Sequence, residues 1–244
     1  PEVYEQMKKL APDLAVLAFV TDIVPGRVLS LPRLGSICYH PSLLPKHRGA
    51  SAINWAVIQG DTKTGLTIFW VDEGIDTGDI LLQKEVEIDP DETTGALYFN
   101  KLYPLGVEAL VEAVELIAAG KAPRIPQDHS QATYEPPCDE KVAGIDWEDP
   151  GRVVYNFIRG CDPQPGATTT FRGDKVKFYD ASYVPELQEA APGTILAITP
   201  KGLKVAVKDG SLTIGRLRTK ELGKVKASEF VRALDPQVGE RFGS

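Results

Sequence analysis

Two side chains in this sequence are spaced for acid–base chemistry. His40 closes the apolar run 35–40 (GSICYH), and Asp76 follows 36 residues later inside the acidic, glycine-punctuated loop 72–79 (DEGIDTGD). In open α/β sheets ligands bind beyond the carboxyl ends of the strands, which is where His40 falls if 35–40 is a strand. An imidazole beside a carboxylate holds its proton more tightly, donates a hydrogen bond and shuttles protons near neutrality. A lone histidine at a strand end more often caps a backbone carbonyl. The strand-end position and the acidic partner loop bring the catalytic and the capping readings to equal weight, and spacing alone takes the matter no further.

The loop itself offers Asp72, Glu73, Asp76 and Asp79 among Gly74 and Gly78. A calcium loop of the EF-hand kind needs oxygen ligands at its first, third and fifth positions. Gly74 occupies the third, so no metal is expected. Asp72 and Glu73 read as solvated turn residues. The glycines permit a tight loop that brings one carboxylate close to a substrate. Cys38, Cys138 and Cys161 are an odd number with no C-x-x-C pair, which argues against a disulfide framework and for a reducing compartment, the cytoplasm. His40, His47 and His129 include no pair at zinc-site spacing.

The elements that must carry these residues follow from hydrophobic patterning. Residues 2–10 have helical character, and 14–20 (LAVLAFV) read as a strand buried on both faces. Residues 27–30 are a short helix or turn, 35–40 a second buried strand, and 50–59 a helix stopped by Gly60. Strands are expected at 66–71 and 80–88. A helix then starts within 89–94 and runs to about 119, broken or kinked at Pro104 and closed by Gly120. This alternation implies βαβ units and a mostly parallel sheet, which would put the loops bearing His40 and Asp76 on one edge. From 122 to 139, Pro123, Pro126, Pro136 and Pro137 abolish periodicity, as in an interdomain linker. A short helix at 152–159 then follows Asp149-Pro150. Five β segments, 167–171, 175–184, 194–199, 203–208 and 211–217, suggest a small barrel. The expected division is 1–121, a linker at 122–148, and 149–244.

Composition sets the outer limits. The 244 residues are 43% hydrophobic and 25% charged, which excludes bulk disorder and suits one large α/β domain or two smaller ones. No run of 18 apolar residues occurs, so no helix spans a membrane, and no basic-then-apolar leader marks a secretory signal. The net charge of −7 argues against a dedicated nucleic-acid binder. The charge is uneven: residues 1–150 carry 12 Lys and Arg against 24 Asp and Glu, and residues 151–244 carry 15 against 10. Within 201–226, eight Lys and Arg face only Asp209 and Glu221. No aromatic lies between Tyr183 and Phe230 to stack bases, and a charge run is more often a solvated face.

The stretch HPSLLPKHRGASAINW (40–55), taken with VDEGIDTGDILLQ (71–83), resembles the folate-dependent formyltransferase family, whose members share H-x-S-L-L-P-x-x-R-G followed by D-x-G-x-D-x-G. Within the family, the first stretch is most similar to the hydrolase domain of the 10-formyltetrahydrofolate dehydrogenases. The proline-rich stretch, Ile158-Arg159, Pro165-Gly166-Ala167 and the ending GKVKASEFVRALDPQVGERF (223–242) resemble the C-terminal barrel domain of the methionyl-tRNA formyltransferases. The resemblance thus covers nearly the whole chain. It implies an α/β, Rossmann-like catalytic domain followed by a small OB-like β-barrel. It also implies strand–helix–strand units ahead of Leu14 that this sequence does not contain, so the expectation is a catalytic domain with its N-terminal part missing.

The resemblance further implies 10-formyltetrahydrofolate as formyl donor and an Asn-x-His plus Asp site that polarises the formyl group. His40 matches the catalytic histidine, Asp76 the catalytic aspartate, and Cys38 stands at the position of the asparagine. A thiol is a poorer donor than an amide, and the 10-formyltetrahydrofolate dehydrogenases are also apolar there. Leu17, Phe19, Val20 and Pro25, within and just after the segment 17–23, match the strand and loop that bound the pterin pocket. Ser42, Leu43, Asp72 and Gly74, from the two motifs, complete the expected folate contacts. The leading expectation is transfer of the formyl group to water or a small amine, with His40 donating to the formyl oxygen and Asp76 holding the imidazolium. The second is methionyl-tRNA formyltransferase, with tRNA on 201–226. The third, a non-catalytic folate-binding module, is opposed by the presence of both His40 and Asp76.

Overall fold

The apolar runs of the N-terminal half become four strands: β1 (Ala15–Leu17), β2 (Ser36–His40), β3 (Lys63–Trp70) and β4 (Ile80–Glu87), in that order across one sheet. They belong to the first of two compact units in the computed structural model, which describes residues 2–20 and 22–243. That unit gathers Pro1–Ile53, Thr62–Ile88 and Ala96–Pro137, and the second gathers Asn54–Asp61, Asp89–Gly95 and Cys138–Ser244. Two short helices, α1 (Glu2–Leu10) and α2 (Gly26–Leu29), flank β1 in sequence.

The sheet is mixed rather than mostly parallel. Only β1 and β2 run parallel, with Leu17 opposite Cys38. The β2–β3 and β3–β4 pairs are antiparallel, with His40 opposite Thr67. The loop between β3 and β4, residues 71–79, is too short for a crossover, which takes about a dozen residues or more. The helix between β2 and β3, α3 (Ala52–Ile58), belongs from Asn54 onward to the second unit and supplies no crossover layer. The run 14–20 is also less buried than expected. Val16, Phe19 and Val20 are 43%, 64% and 47% exposed, because β1 ends the sheet order and Phe19, at φ +61°, ends the extended backbone.

One face of the sheet is covered by α5 (Tyr103–Ala118), which α4 (Thr94–Leu97) and a π-helical turn (Tyr98–Leu102) precede. The irregular turn falls where a kink is expected. Pro104 lacks an N–H and is accommodated only in the first turn of the following helix. Ala109, Ala113 and Ile117 pack on Ile37, Tyr39, Leu66, Ile68 and Trp70. Gly106 lets the helix approach, since a β-carbon there would lie 2.8 Å from the Tyr39 ring.

The proline-rich stretch does not hang free as a linker. Ile80 and Ile125 exchange backbone hydrogen bonds of 2.8 and 3.0 Å, Trp70 Nε1 donates to the Pro123 carbonyl at 2.9 Å, and the Arg48 amide donates to the Thr133 carbonyl at 3.0 Å. Prolines cannot donate to a ladder, but residues between them can, so this extended segment lies along the first unit up to Pro137.

In the second unit, α6 (Gly151–Gly160) leads into β5 (Ala167–Phe171), β6 (Asp174–Pro185), β7 (Ile195–Thr199), β8 (Gly202–Val207), β9 (Gly210–Thr219), β10 (Gly223–Lys226) and α7 (Ala227–Leu234). The strands form one antiparallel sheet in the order β5-β6-β9-β8-β7, with β10 also on β9. Phe242 pairs with Phe171 on β5 and Arg241 with Thr194 just before β7, so residues 241–242 lie between the two outer strands. The sheet encloses a core of Val154, Tyr155, Phe178, Leu212, Leu217, Phe230 and Phe242. None of the three cysteines forms a disulfide, and Cys138 and Cys161 lie with sulfurs 3.9 Å apart. Among the described residues no helix is long and apolar enough to cross a membrane, and no group of three or more His, Cys, Asp or Glu is placed to hold a metal ion.

Candidate functional site

The side chains of Cys38 and His40 share one face of β2, because residues two apart on a strand point the same way. Ile37 and Tyr39 point oppositely into the α5 core. His40 is 5% exposed, and its Nε2 lies 2.7 Å from the carbonyl oxygen of His47. A carbonyl only accepts, so Nε2 carries the hydrogen and Nδ1 is the free ring nitrogen. Nδ1 faces Asp76 Oδ2 at 3.6 Å. That distance is too long for a direct hydrogen bond and short enough for the charges to couple.

His40 and the Asp76 loop each follow the C-terminal end of a strand, but β2 and β3 are antiparallel, so those ends lie at opposite ends of the sheet and do not explain the meeting. The loop folds back instead. Asp76 adopts the left-handed backbone, φ +56°, a conformation that persists only when the surroundings over-determine it. Its Oδ2 accepts from the Gly49 amide at 2.8 Å. Gln127 Nε2 donates to the backbone carbonyls of Asp76 at 2.9 Å and Gly78 at 2.7 Å. At Gly78 a β-carbon would collide with the Trp70 carbonyl, so the loop closes only around glycine.

Loop 41–49, which carries His47 and Gly49, is held as tightly. Thr67 Oγ1 donates to the Ser42 carbonyl at 2.7 Å and accepts from the Leu44 amide at 3.1 Å. Gln83 Nε2 donates to the Leu44 carbonyl at 2.9 Å, and Ser42 Oγ to the Lys46 carbonyl at 2.6 Å. The His47 amide donates to Thr133 Oγ1 at 2.8 Å, and its ring Nδ1 lies 3.3 Å from Glu135 Oε1. Arg48, 3% exposed, donates to Gln127 Oε1 at 2.6 Å, Tyr134 Oη at 2.8 Å and His129 Nδ1 at 3.0 Å.

Burial is the largest influence on His40 and lowers its pKa. The Asp76 charge and the bond to the His47 carbonyl oppose that shift, while the charges of His47 and Arg48 add to it. The resting ring is therefore neutral near pH 7, with its lone pair on Nδ1. Burial, with the charge of Asp76, pushes the Cys38 thiol up to about 12, so it remains a protonated thiol, and it donates to the Tyr39 carbonyl at 3.5 Å.

Of the residues expected at the site, Leu17, Cys38, His40 and Asp76 come together, Leu17 through its register opposite Cys38. Ser42 is fully buried with its hydroxyl spent on its own loop, and Leu43 is half-buried beside it. Asp72 closes its turn by accepting from the Gly74 amide and Thr77 Oγ1, at 3.0 and 2.6 Å. Phe19 packs on Tyr98 with ring centroids 5.4 Å apart and the rings tilted by 57°; Val20 and Pro25 are exposed, and Thr21 lies outside the described residues. Sequence reasoning missed His47, Arg48, Gly49, Gln127 and Thr133 as parts of the site. Arg48-Gly49 stood in a quoted motif without a role, and the proline content hid Gln127 and Thr133.

The formyl transferase model matches residues 1–114, and the model of the formyl transferase C-terminal domain matches residues 139–235. The chain is 43% identical over 244 residues to the cytosolic 10-formyltetrahydrofolate dehydrogenase of Xenopus tropicalis, covering 96% of this chain and 27% of that protein. It is 39% identical over 243 residues to the methionyl-tRNA formyltransferase of Syntrophus aciditrophicus (strain SB), covering 100% of this chain and 78% of that protein. Among solved structures, HypX from Aquifex aeolicus in complex with tetrahydrofolic acid shares the fold with a TM-score of 0.79 at 24% identity, over 98% of this chain and 42% of that one.

Proposed function

The chain belongs to the formyl transferase family, and from that membership we propose that it takes the formyl group of 10-formyltetrahydrofolate and delivers it to water or to an amine, with His40 and Asp76 as the catalytic pair. One observation carries the choice of pair: Nε2 of His40 is committed to the His47 carbonyl, which leaves Nδ1 as a base facing the Asp76 carboxylate at 3.6 Å.

His40 begins as a neutral base rather than as a donor to the formyl oxygen. Nδ1 takes the proton of the attacking water or amine as the nucleophile bonds to the formyl carbon. The new imidazolium is stabilised by Asp76, and its Nδ1–H then donates to the formyl oxygen or the departing nitrogen. A water oxygen between Nδ1 and Asp76 would touch both groups. Leu17, Leu43 and the exposed Phe19 and Val20 supply the apolar surface assigned to the folate ring.

Water is the favoured acceptor because Cys38 stands where an asparagine would donate a second hydrogen bond. Removing one such donor costs about 10²–10³ in rate. A site with a weaker oxyanion cradle suits slow hydrolysis better than transfer to a demanding acceptor. The similarity to a 10-formyltetrahydrofolate dehydrogenase supports the same branch, although the chain spans only 27% of that relative and its complete activity is a separate matter. The direct test is formate release from 10-formyltetrahydrofolate. Folate binding without release would instead fit a non-catalytic folate-binding module.

Transfer to methionyl-tRNA is the second reading, favoured by the relative of which this chain covers 78%. Within 201–226, however, Lys204, Lys208 and Lys224 lie against Glu186, Glu148 and Asp162. Lys201, Arg216 and Lys226 line a hollow with Asp180 and Ser228 and are the cations that this reading assigns to phosphate.

A further inference from the structure

Arg48 and Gln127 are buried polar side chains, 3% and 6% exposed, that take no part in the chemistry above. They form one continuous line of hydrogen bonds ending on the strained residue of the catalytic loop. Arg48 Nη2 donates to Gln127 Oε1 at 2.6 Å, which orients the amide so that Nε2 faces the loop. Nε2 then donates to the carbonyls of Asp76 and Gly78, which flank Thr77 and are both held by the same nitrogen. The neighbouring Gly49 amide holds the Asp76 carboxylate itself. The dipeptide Arg48-Gly49 therefore acts on Asp76 twice, directly on the side chain and through Gln127 on the backbone.

We infer that Arg48 and Gln127 are positioning residues, which hold Asp76 in its left-handed conformation and so set its carboxylate against His40. The inference rests on the His40–Asp76 assignment made above. Its physical basis is the φ of +56° at a non-glycine residue. Released from Gln127, Asp76 returns towards the ordinary backbone region, and the rotation swings the carboxylate away from Nδ1. The charged and titratable groups around the pair are Asp76, His47 and Arg48 facing His40, the Cys38 thiol facing Asp76, Glu135 against His47, and His129 against Arg48.

The test uses Gln127→Met and Gln127→Asn in the full chain, with thermal unfolding to check that each folds. Both replacements are uncharged, and the sign of the shift in His40's titration names the group that moved: withdrawal of the Asp76 carboxylate lowers the His40 pKa, whereas withdrawal of the Arg48 guanidinium, also freed from residue 127, raises it. Nuclear magnetic resonance of the imidazole signals reads that titration without any ligand. The expected result is a lower His40 pKa than in the parent, because the charge that raises it has withdrawn. In formate release, kcat is expected to fall by about 10²-fold, the cost of roughly an ångström of misplacement, with KM nearly unchanged. Folded variants with the parental His40 titration and kcat would overturn the inference. A parent that releases no formate would defeat the functional assignment instead, and the imidazole titration would still decide whether the brace holds Asp76.

Discussion

The carbonyl oxygen of His47 and Nε2 of His40 lie 2.7 Å apart, and this contact decides which nitrogen of the buried ring is free. Because a backbone carbonyl has no proton to give, the ring must donate, and its basic site is turned towards Asp76.

Replacing His40 by Ala removes the base. Formate release is expected to fall by about 10²–10⁴, the usual value of a positioned acid–base group, while the folate dissociation constant stays within a small factor. Parallel kinetic and binding titrations check both halves.

Activity that needs a neutral His40 rises with pH through the pKa of that residue. Burial places it below the ordinary value of about 6.5, so the acid limb of kcat lies below that pH. Asp76 opposes the shift, so Asp76→Asn is expected to move the limb to still lower pH as well as to slow the reaction. The same shift affects stability. A histidine that resists protonation in the folded state contributes stability above its unfolded pKa, which is lost as pH falls through 6.5 towards the folded value. Thermal midpoints across that range are expected to drop less steeply in His40→Gln.

Cys38→Asn restores an amide at the strand position beside His40. If the amide reaches the formyl oxygen, formyl chemistry rises, by at most about 10³-fold, and transfer to an amine gains relative to water. If it points into the surrounding packing, the variant loses about 1–3 kcal/mol of stability at an unchanged rate, and Cys38 is only a small buried hydrophobe. Rate and thermal midpoint measured on one preparation separate these outcomes.

The tRNA reading has its own signature. Binding through phosphates weakens with salt by roughly 0.9 per duplex phosphate on a log–log plot. Reversing Lys201, Arg216 and Lys226 to Glu would then abolish binding, whereas reversing Lys204 and Lys208, which already face Glu186 and Glu148, would do less. Failure of initiator tRNA to bind at low salt would remove this reading.

Much of the architecture was legible in local pattern. The strands of the second unit follow the turn residues that separate them, and the irregular turn before α5 follows from Pro104. Strand direction was not legible, because it depends on whether α3 packs as a crossover, a tertiary matter that helix periodicity does not report. His40 and Asp76 stood out by residue type and setting. Their actual link did not, because it runs through a left-handed Asp76, the Gly49 amide and Gln127. Gln127 sits between prolines in a stretch whose periodicity is broken, and a single amide there carries no pattern. Its partners lie 79 residues back at Arg48 and 51 residues back at Asp76, distances that only the fold closes.

The central claim is that His40, through Nδ1 and beside Asp76, moves the proton in formyl release from 10-formyltetrahydrofolate. Single-turnover formate release, followed from about pH 5 to pH 8 in the parent chain and in His40→Ala, measures it directly. The expected result is release in the parent with an acid limb below about 6.5, and near-complete loss of release in His40→Ala at every pH. Equal rates in the two proteins, or a parent rate whose acid limb lies above about 6.5, would contradict it.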